Sequence, residues 1–150
     1  MTKEYGSYKD DKEFNIAEMR RFVETKQELD KFLEMLITPY IQGKSLRILD
    51  ACCGIGHIPY FLSEISPQSM FLGIDKEMYL IDQARKLCQD KNGITFEQRD
   101  MYHLPSTWYK TFDISICWKT LSWLPIYHRM IRAVEEVTKS HIFLSSLFYD

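Results

Sequence analysis

The chain has 150 residues, of which 45% are hydrophobic and 27% charged, with a net charge of -2. That length and balance describe one soluble globular domain with a single core, and they exclude a disordered or fibrous chain. No basic stripe gives the footprint of a nucleic-acid binder, and no apolar run reaches the length of a membrane span.

The first ten residues, Met1 to Asp10, are polar and charged, so no secretory apolar stretch is present and a cytoplasmic location is expected. Tyr5 and Tyr8 in this segment read either as part of a lid or as a disordered tail. From Phe14 to Tyr40 apolar residues recur at helical spacing, at Ile16, Met19, Phe22 or Val23, Leu29, Leu33 and Leu36 or Ile37. A polar patch near Lys26 breaks the pattern once. One long helix or two abutting helices are predicted, stopped near Thr38-Pro39, because the residue before a proline is driven out of helical geometry. Residues 1–45 are thus expected to form a helical segment or lid, and residues 46–150 the body of one compact domain.

Short apolar runs then alternate with helical patterns. Leu46–Ala51, Met70–Asp75, Ile94–Arg99, Phe112–Trp118 and His141–Leu147 read as strands, and helical periodicity begins near His57, Glu77 and Ile126. Such alternation builds an α/β fold, a parallel sheet covered by helices on both faces. Ligands in these sheets bind outside the carboxyl ends of the strands, where strand order reverses.

The first strand and turn, Leu46-Arg-Ile-Leu-Asp-Ala-Cys-Cys-Gly-Ile-Gly56, end an apolar run on an acid and then a glycine loop. Gly54 and Gly56 allow a sharp turn and a close approach to a ligand. A dinucleotide fingerprint would place a third glycine where Pro59 stands, and Asp50 would repel a pyrophosphate. A cationic amine or sulfonium suits the loop better. Asp75, 25 residues further on at the end of the second strand, is spaced to accept from the vicinal hydroxyls of a ribose. After the third strand, Asp100 can accept from the exocyclic amine of a purine while Met101 offers a polarisable surface to its ring. A ribose nucleoside carrying positive charge fits all three acids, which points to S-adenosylmethionine (SAM). The plainer alternative is that these aspartates cap helices or face solvent.

The segments Ile48-Leu-Asp-Ala-Cys-Cys-Gly-Ile-Gly56, Gly73-Ile-Asp75, Gln98-Arg-Asp-Met101 and Phe112-Asp-Ile-Ser-Ile-Cys-Trp118 resemble, in order, the motifs of the class I SAM-dependent methyltransferases over about residues 45–147. The resemblance implies a Rossmann-like three-layer sandwich with about five parallel strands in the order 3-2-1-4-5. It also implies a cofactor site in which Asp50, Ala51, Cys52, Gly54 and Gly56 surround the methionine moiety. Asp75, with Lys76 beside it, would meet the ribose, and Asp100 and Met101 the adenine. Cys117, Trp118 and Lys119 would flank the methionine tail, with Trp118 and Lys119 facing the acceptor. Two departures stand out. Cys52 occupies the first glycine position of the family's D-x-G-x-G-x-G, and the sequence stops at Tyr149-Asp150, without the strands six and seven that follow in the family. A fragment is therefore expected, with His141–Tyr149 as an apolar edge strand open to a homodimeric partner.

The expected reaction moves the methyl group of SAM to an acceptor, most simply a small molecule, and leaves S-adenosylhomocysteine. Such a domain contributes alignment and exclusion of water rather than acid-base chemistry. A noncatalytic SAM-binding or partner-binding module is the alternative that the early stop favours. A nicotinamide-dependent oxidoreductase is opposed by Asp50 and Pro59. No metal is expected, because neither the four cysteines nor the histidines show ligand spacing, and all four cysteines read as reduced thiols, with Cys88 in the core. Trp108, Trp118, Trp123 and Tyr127 read either as walls of an acceptor pocket or as packing. His57, directly after the glycine turn, is the histidine to test, with no base assigned.

Overall fold

The computed structural model describes residues 12–23 and 26–146, apart from the side chains of Phe14, Val23 and Trp123. Tyr5 and Tyr8 lie outside the described residues. Two N-terminal helices, α1 (Lys12–Val23) and α2 (Glu28–Ile41), precede five strands: β1 (Arg47–Ala51), β2 (Met70–Asp75), β3 (Ile94–Gln98), β4 (Phe112–Cys117) and β5 (Thr138–Leu144). Helices α3 (His57–Ile65), α4 (Met78–Leu87) and α5 (Tyr127–Val137) make the connections β1 to β2, β2 to β3 and β4 to β5. Every strand pair is parallel and the order is β3-β2-β1-β4-β5, the Rossmann-like arrangement the sequence implied.

Strand residues alternate between two apolar layers. Ile48, Phe71, Ile114 and Ile116 pack with Leu33, Ile37 and Ile41 of α2 and with Ile58 and Leu62 of α3. Leu49, Ala51, Ile74 and Cys117 pack on the other side against Met130, Val134 and Val137 of α5. Each such fully buried aliphatic side chain contributes about 1.5–3 kcal/mol. A register shift between Phe112 and Ile114 breaks the alternation, and Phe112 joins the α5 layer. Helix α2 earns its place by spacing: Leu33, Ile37 and Ile41 recur every fourth residue and are fully buried, whereas Phe32 and Met35 on the opposite face are exposed.

Several boundaries differ from the sequence reading, most by a single residue at a strand end. Helix α2 continues through Pro39 to Ile41 instead of stopping at Thr38-Pro39. The proline sits in the last turn and deletes only the bond to the Met35 carbonyl, on an exposed face, while the Thr38 hydroxyl donates to the Glu34 carbonyl. Strand β5 starts three residues earlier than expected, directly out of α5, so its first half, with exposed Lys139, Ser140 and His141, is polar rather than apolar. Trp118 lies just beyond β4 rather than in it.

Candidate functional site

The loop after β1 is fixed by backbone geometry. Cys52, Gly54 and Gly56 all have positive φ, at 64°, 55° and 83°. Cys52 thus holds the left-handed conformation that a glycine would take without strain. The Cys53 amide donates to the Ile74 carbonyl at 2.9 Å and ties the loop to the end of β2. The two loop glycines have different causes. A Cβ on Gly56 would stand 2.5 Å from the Phe96 ring, and one on Gly73 in β2 would stand 2.6 Å from the same ring. Gly56 therefore answers to packing. At Gly54 the space is met only by the Glu18 carboxylate of α1, 2.9 Å away.

A cavity of about 330 Å³ opens at the carboxyl ends of the strands, lined by Asp50, Cys52, Gly54, Asp75, Lys76, Asp100 and Met101 together with Trp118 and Lys119. Three other residues singled out from the sequence, Ala51, Gly56 and Cys117, lie outside that lining, and Ala51 and Cys117 are fully buried. From α1 and α3 the cavity receives Glu18, Arg21 and His57, none of which the sequence motifs assigned to a ligand.

The three aspartates are held differently. Asp50 is buried, and its Oδ2 has no hydrogen-bond partner among the described residues. Burial, reinforced by the nearby charge of Asp75, pushes its carboxyl well above the usual range. Asp75 accepts from the Gly54 amide at 3.0 Å through Oδ2 and from the Glu77 amide at 3.0 Å through Oδ1. Burial still raises its pKa, against the pull of those two amides. A carboxylate has about four acceptor sites, so capacity remains on both oxygens. Asp100 is more open, and burial there is outweighed by the Tyr102 amide and the His103 ring, each at 2.9 Å, so its pKa is lowered.

The inner wall is tied to α2, although both ring nitrogens of His57 lack a hydrogen-bond partner among the described residues. Lys119, at φ 64°, places its Nζ 2.7 Å from Asp30 Oδ1 and donates to Gln27 Oε1 at 2.7 Å. Trp118 is buried in the α2 layer and donates from Nε1 to the Leu29 carbonyl at 3.1 Å, so it both packs and lines the cavity. The Cys52 thiol lies against Met101 and Cys117, whose contact, with burial, raises its pKa well above normal. It stays protonated and is no nucleophile. His57 is buried 3.9 Å from Asp30 Oδ1, and burial lowers its pKa, keeping the ring neutral at pH 7. No group of His, Cys, Asp or Glu among the described residues is arranged to hold a metal ion. Of the aromatics, Trp108 packs edge-on against Phe112, away from the cavity, and Tyr127 is exposed.

A parallel sheet in this order, with a glycine loop and three acids on one rim, defines a Rossmann-like methyltransferase fold. The sequence matches the methyltransferase domain family over residues 42–149, and the chain belongs to that family. It is 28% identical over 109 residues to malonyl-[acyl-carrier protein] O-methyltransferase of Bacillus cereus, across 71% of this chain and 39% of that protein. The chain thus spans about two fifths of the length of the curated relative it matches. Among solved structures it resembles a Pyrococcus horikoshii protein, with a TM-score of 0.71 and 23% identity over 89% of this chain and 66% of that one. It also resembles magnesium protoporphyrin IX methyltransferase of Synechocystis with bound S-adenosylhomocysteine, at a TM-score of 0.70 and 18% identity over 87% and 66% of the two chains. No helix among the described residues is long and apolar enough to cross a membrane.

Proposed function

We propose that the chain binds SAM at the carboxyl rim of the sheet and transfers its methyl group to a small-molecule acceptor. The observation that carries this reading is the convergence of Asp50, Asp75 and Asp100, from three neighbouring strands, on one cavity of about 330 Å³. That is the size class of small-molecule sites. The residues fit the group on the structure's own terms, because Asp50 presents a buried, unpartnered oxygen toward a guest that brings positive charge. When bound, SAM supplies an activated methyl group on a sulfonium.

In this reading Asp50, Cys52 and Gly54 surround the methionine moiety, Asp75 takes the ribose hydroxyls with Lys76 at its side, and Asp100 and Met101 meet the adenine. Ala51, Gly56 and Cys117 act by shaping the loop and the strand end. Trp118 and Lys119, whose polar atoms are already engaged, wall the acceptor side and exclude water. Helices α1 and α2 supply part of the lid over a core that begins at residue 46, in a cytoplasmic protein. The edge of β5 is the surface by which two copies would pair, with light scattering at high concentration as the check.

Calorimetric titration with SAM, S-adenosylhomocysteine and NAD tests the cofactor. Binding of the first two and none of NAD is expected, and NAD binding without SAM binding sinks the proposal. Cofactor binding without methyl release to any acceptor would leave a SAM-binding module.

A further inference from the structure

Glu18 stands where the sequence motifs gave no reason to look. It projects from α1 onto the loop after β1, and its side chain is only 5% exposed. Oε1 pairs with Arg21 at 2.6 Å, one turn along the same helix. Oε2 has no hydrogen-bond partner among the described residues, and it occupies the space that a side chain at Gly54 would need, 2.9 Å from its Cβ position. The Ile55 amide faces this carboxylate without completing a hydrogen bond to Oε2.

A half-satisfied carboxylate in a buried wall costs free energy unless something supplies the missing donor. Asp50 Oδ2, in the lining of the same cavity, lacks a donor too. The cations nearby are committed, Arg21 to Glu18 Oε1 and Lys119 to Asp30. What is missing is a guest with positive charge and N–H groups. A sulfonium has the charge and no donor, whereas an ammonium has three. On the glycine-loop side, remote from Asp100 and Met101, the moiety of SAM with those properties is its amino-acid tail.

We propose that Glu18 binds the ammonium of the cofactor's amino-acid tail, so that α1 is a wall of the cofactor site as well as a lid. This rests on the SAM reading above. The carboxylate reaches the loop at Gly54 because no Cβ stands in its way, which gives that glycine a ligand-linked role that Gly56 lacks.

The test is calorimetry on the full chain with two probes. S-adenosylhomocysteine carries the tail, and 5′-methylthioadenosine lacks it. Glu18→Gln keeps the shape and removes the charge, Glu18→Asp keeps the charge and withdraws it by one methylene, and Glu13→Gln changes an exposed acid on the same helix. Glu18→Gln should weaken S-adenosylhomocysteine by about ten- to a hundredfold, the range of a lost charge-assisted hydrogen bond. Methylthioadenosine should bind it as it binds the wild type, Glu18→Asp should fall between, and Glu13→Gln should bind both probes normally. Unchanged S-adenosylhomocysteine affinity in Glu18→Gln overturns the assignment, and so does an equal loss for both probes, which would mark a structural role. If the wild type binds neither probe, the cofactor reading itself fails and this inference with it.

Discussion

The Lys119 ammonium lies 2.7 Å from Asp30 Oδ1, and this ion pair fastens the loop after β4 to the first turn of α2. Both side chains are largely withdrawn from water, at 13% and 4% exposure. Removing one partner strands the other. Lys119→Met should therefore destabilise the fold by about 3 kcal/mol in urea unfolding, and Asp30→Asn in that background should recover part of the loss. An unchanged urea midpoint in Lys119→Met would show that the pair carries no weight.

The same pair predicts a pH dependence. Burial alone would raise the Asp30 carboxyl, but His57 and Lys119 outweigh it and hold the folded-state pKa below the ordinary 3.8. The unfolded chain then binds more protons near that pH. The stabilisation is fully present above 3.8 and is lost as pH falls through the lower folded value. Acid unfolding of Lys119→Met should lose part of this dependence, the remainder being held by His57, and an identical acid limb in both proteins would contradict the assignment.

Asp50 has the opposite sign. Its folded-state carboxyl titrates well above the ordinary value because it is buried beside Asp75. Between those two values the folded state binds the extra proton, so the contribution of Asp50 falls as pH rises. Asp50→Asn should stabilise the ligand-free protein at pH 7, because it removes an ionisable group buried beside another acid. It should also flatten the decline in stability with pH, and weaken SAM. A variant less stable than the wild type at pH 7 would show that the ionised carboxylate has a partner that compensates its burial.

The two loop glycines should separate stability from binding. Gly56→Ala adds a Cβ 2.5 Å from the Phe96 ring at a φ of 83°. It should cost about 2–4 kcal/mol, combining left-handed strain with overpacking. Gly54→Ala, at a φ of 55°, carries the same left-handed strain but meets only the movable end of Glu18, so its stability loss should be smaller, about 1–2 kcal/mol, and S-adenosylhomocysteine affinity should fall with it. Equal stability losses in the two variants would refute this division.

The alternation of strands and helices was legible because each strand is a short apolar run closing on an acid or a turn and the helices between them carry period, whereas the order of the strands came only with the family resemblance. Asp50, Asp75 and Asp100 could be placed on one rim for the same reason: strand ends in a parallel sheet share an edge. Glu18 could not be found, since nothing local distinguishes it from the exposed Glu13, and only the docking of α1 on the loop turns it inward. The reason for Gly56 was equally hidden, because Phe96 lies 40 residues away in sequence. The boundary of β5 was missed because Val137-Thr138 passes from helix to strand with no intervening turn residue.

Asp75 closes both the loop and the proposed ribose contact, so its replacement has two effects that must be separated. Asp75→Ala removes acceptors for the Gly54 and Glu77 amides, each at 3.0 Å, and should cost about 1–3 kcal/mol of stability. If Asp75 also accepts from the vicinal hydroxyls, nucleoside affinity should fall by about 1.5–3 kcal/mol. A cycle with 5′-methylthioadenosine and its 2′-deoxy analogue isolates the second effect. The wild type should lose affinity when the hydroxyl is removed, whereas Asp75→Ala, having already lost the partner, should bind the two nucleosides nearly alike. An equal penalty in both proteins would mean that the hydroxyl is held elsewhere and that Asp75 serves only the loop.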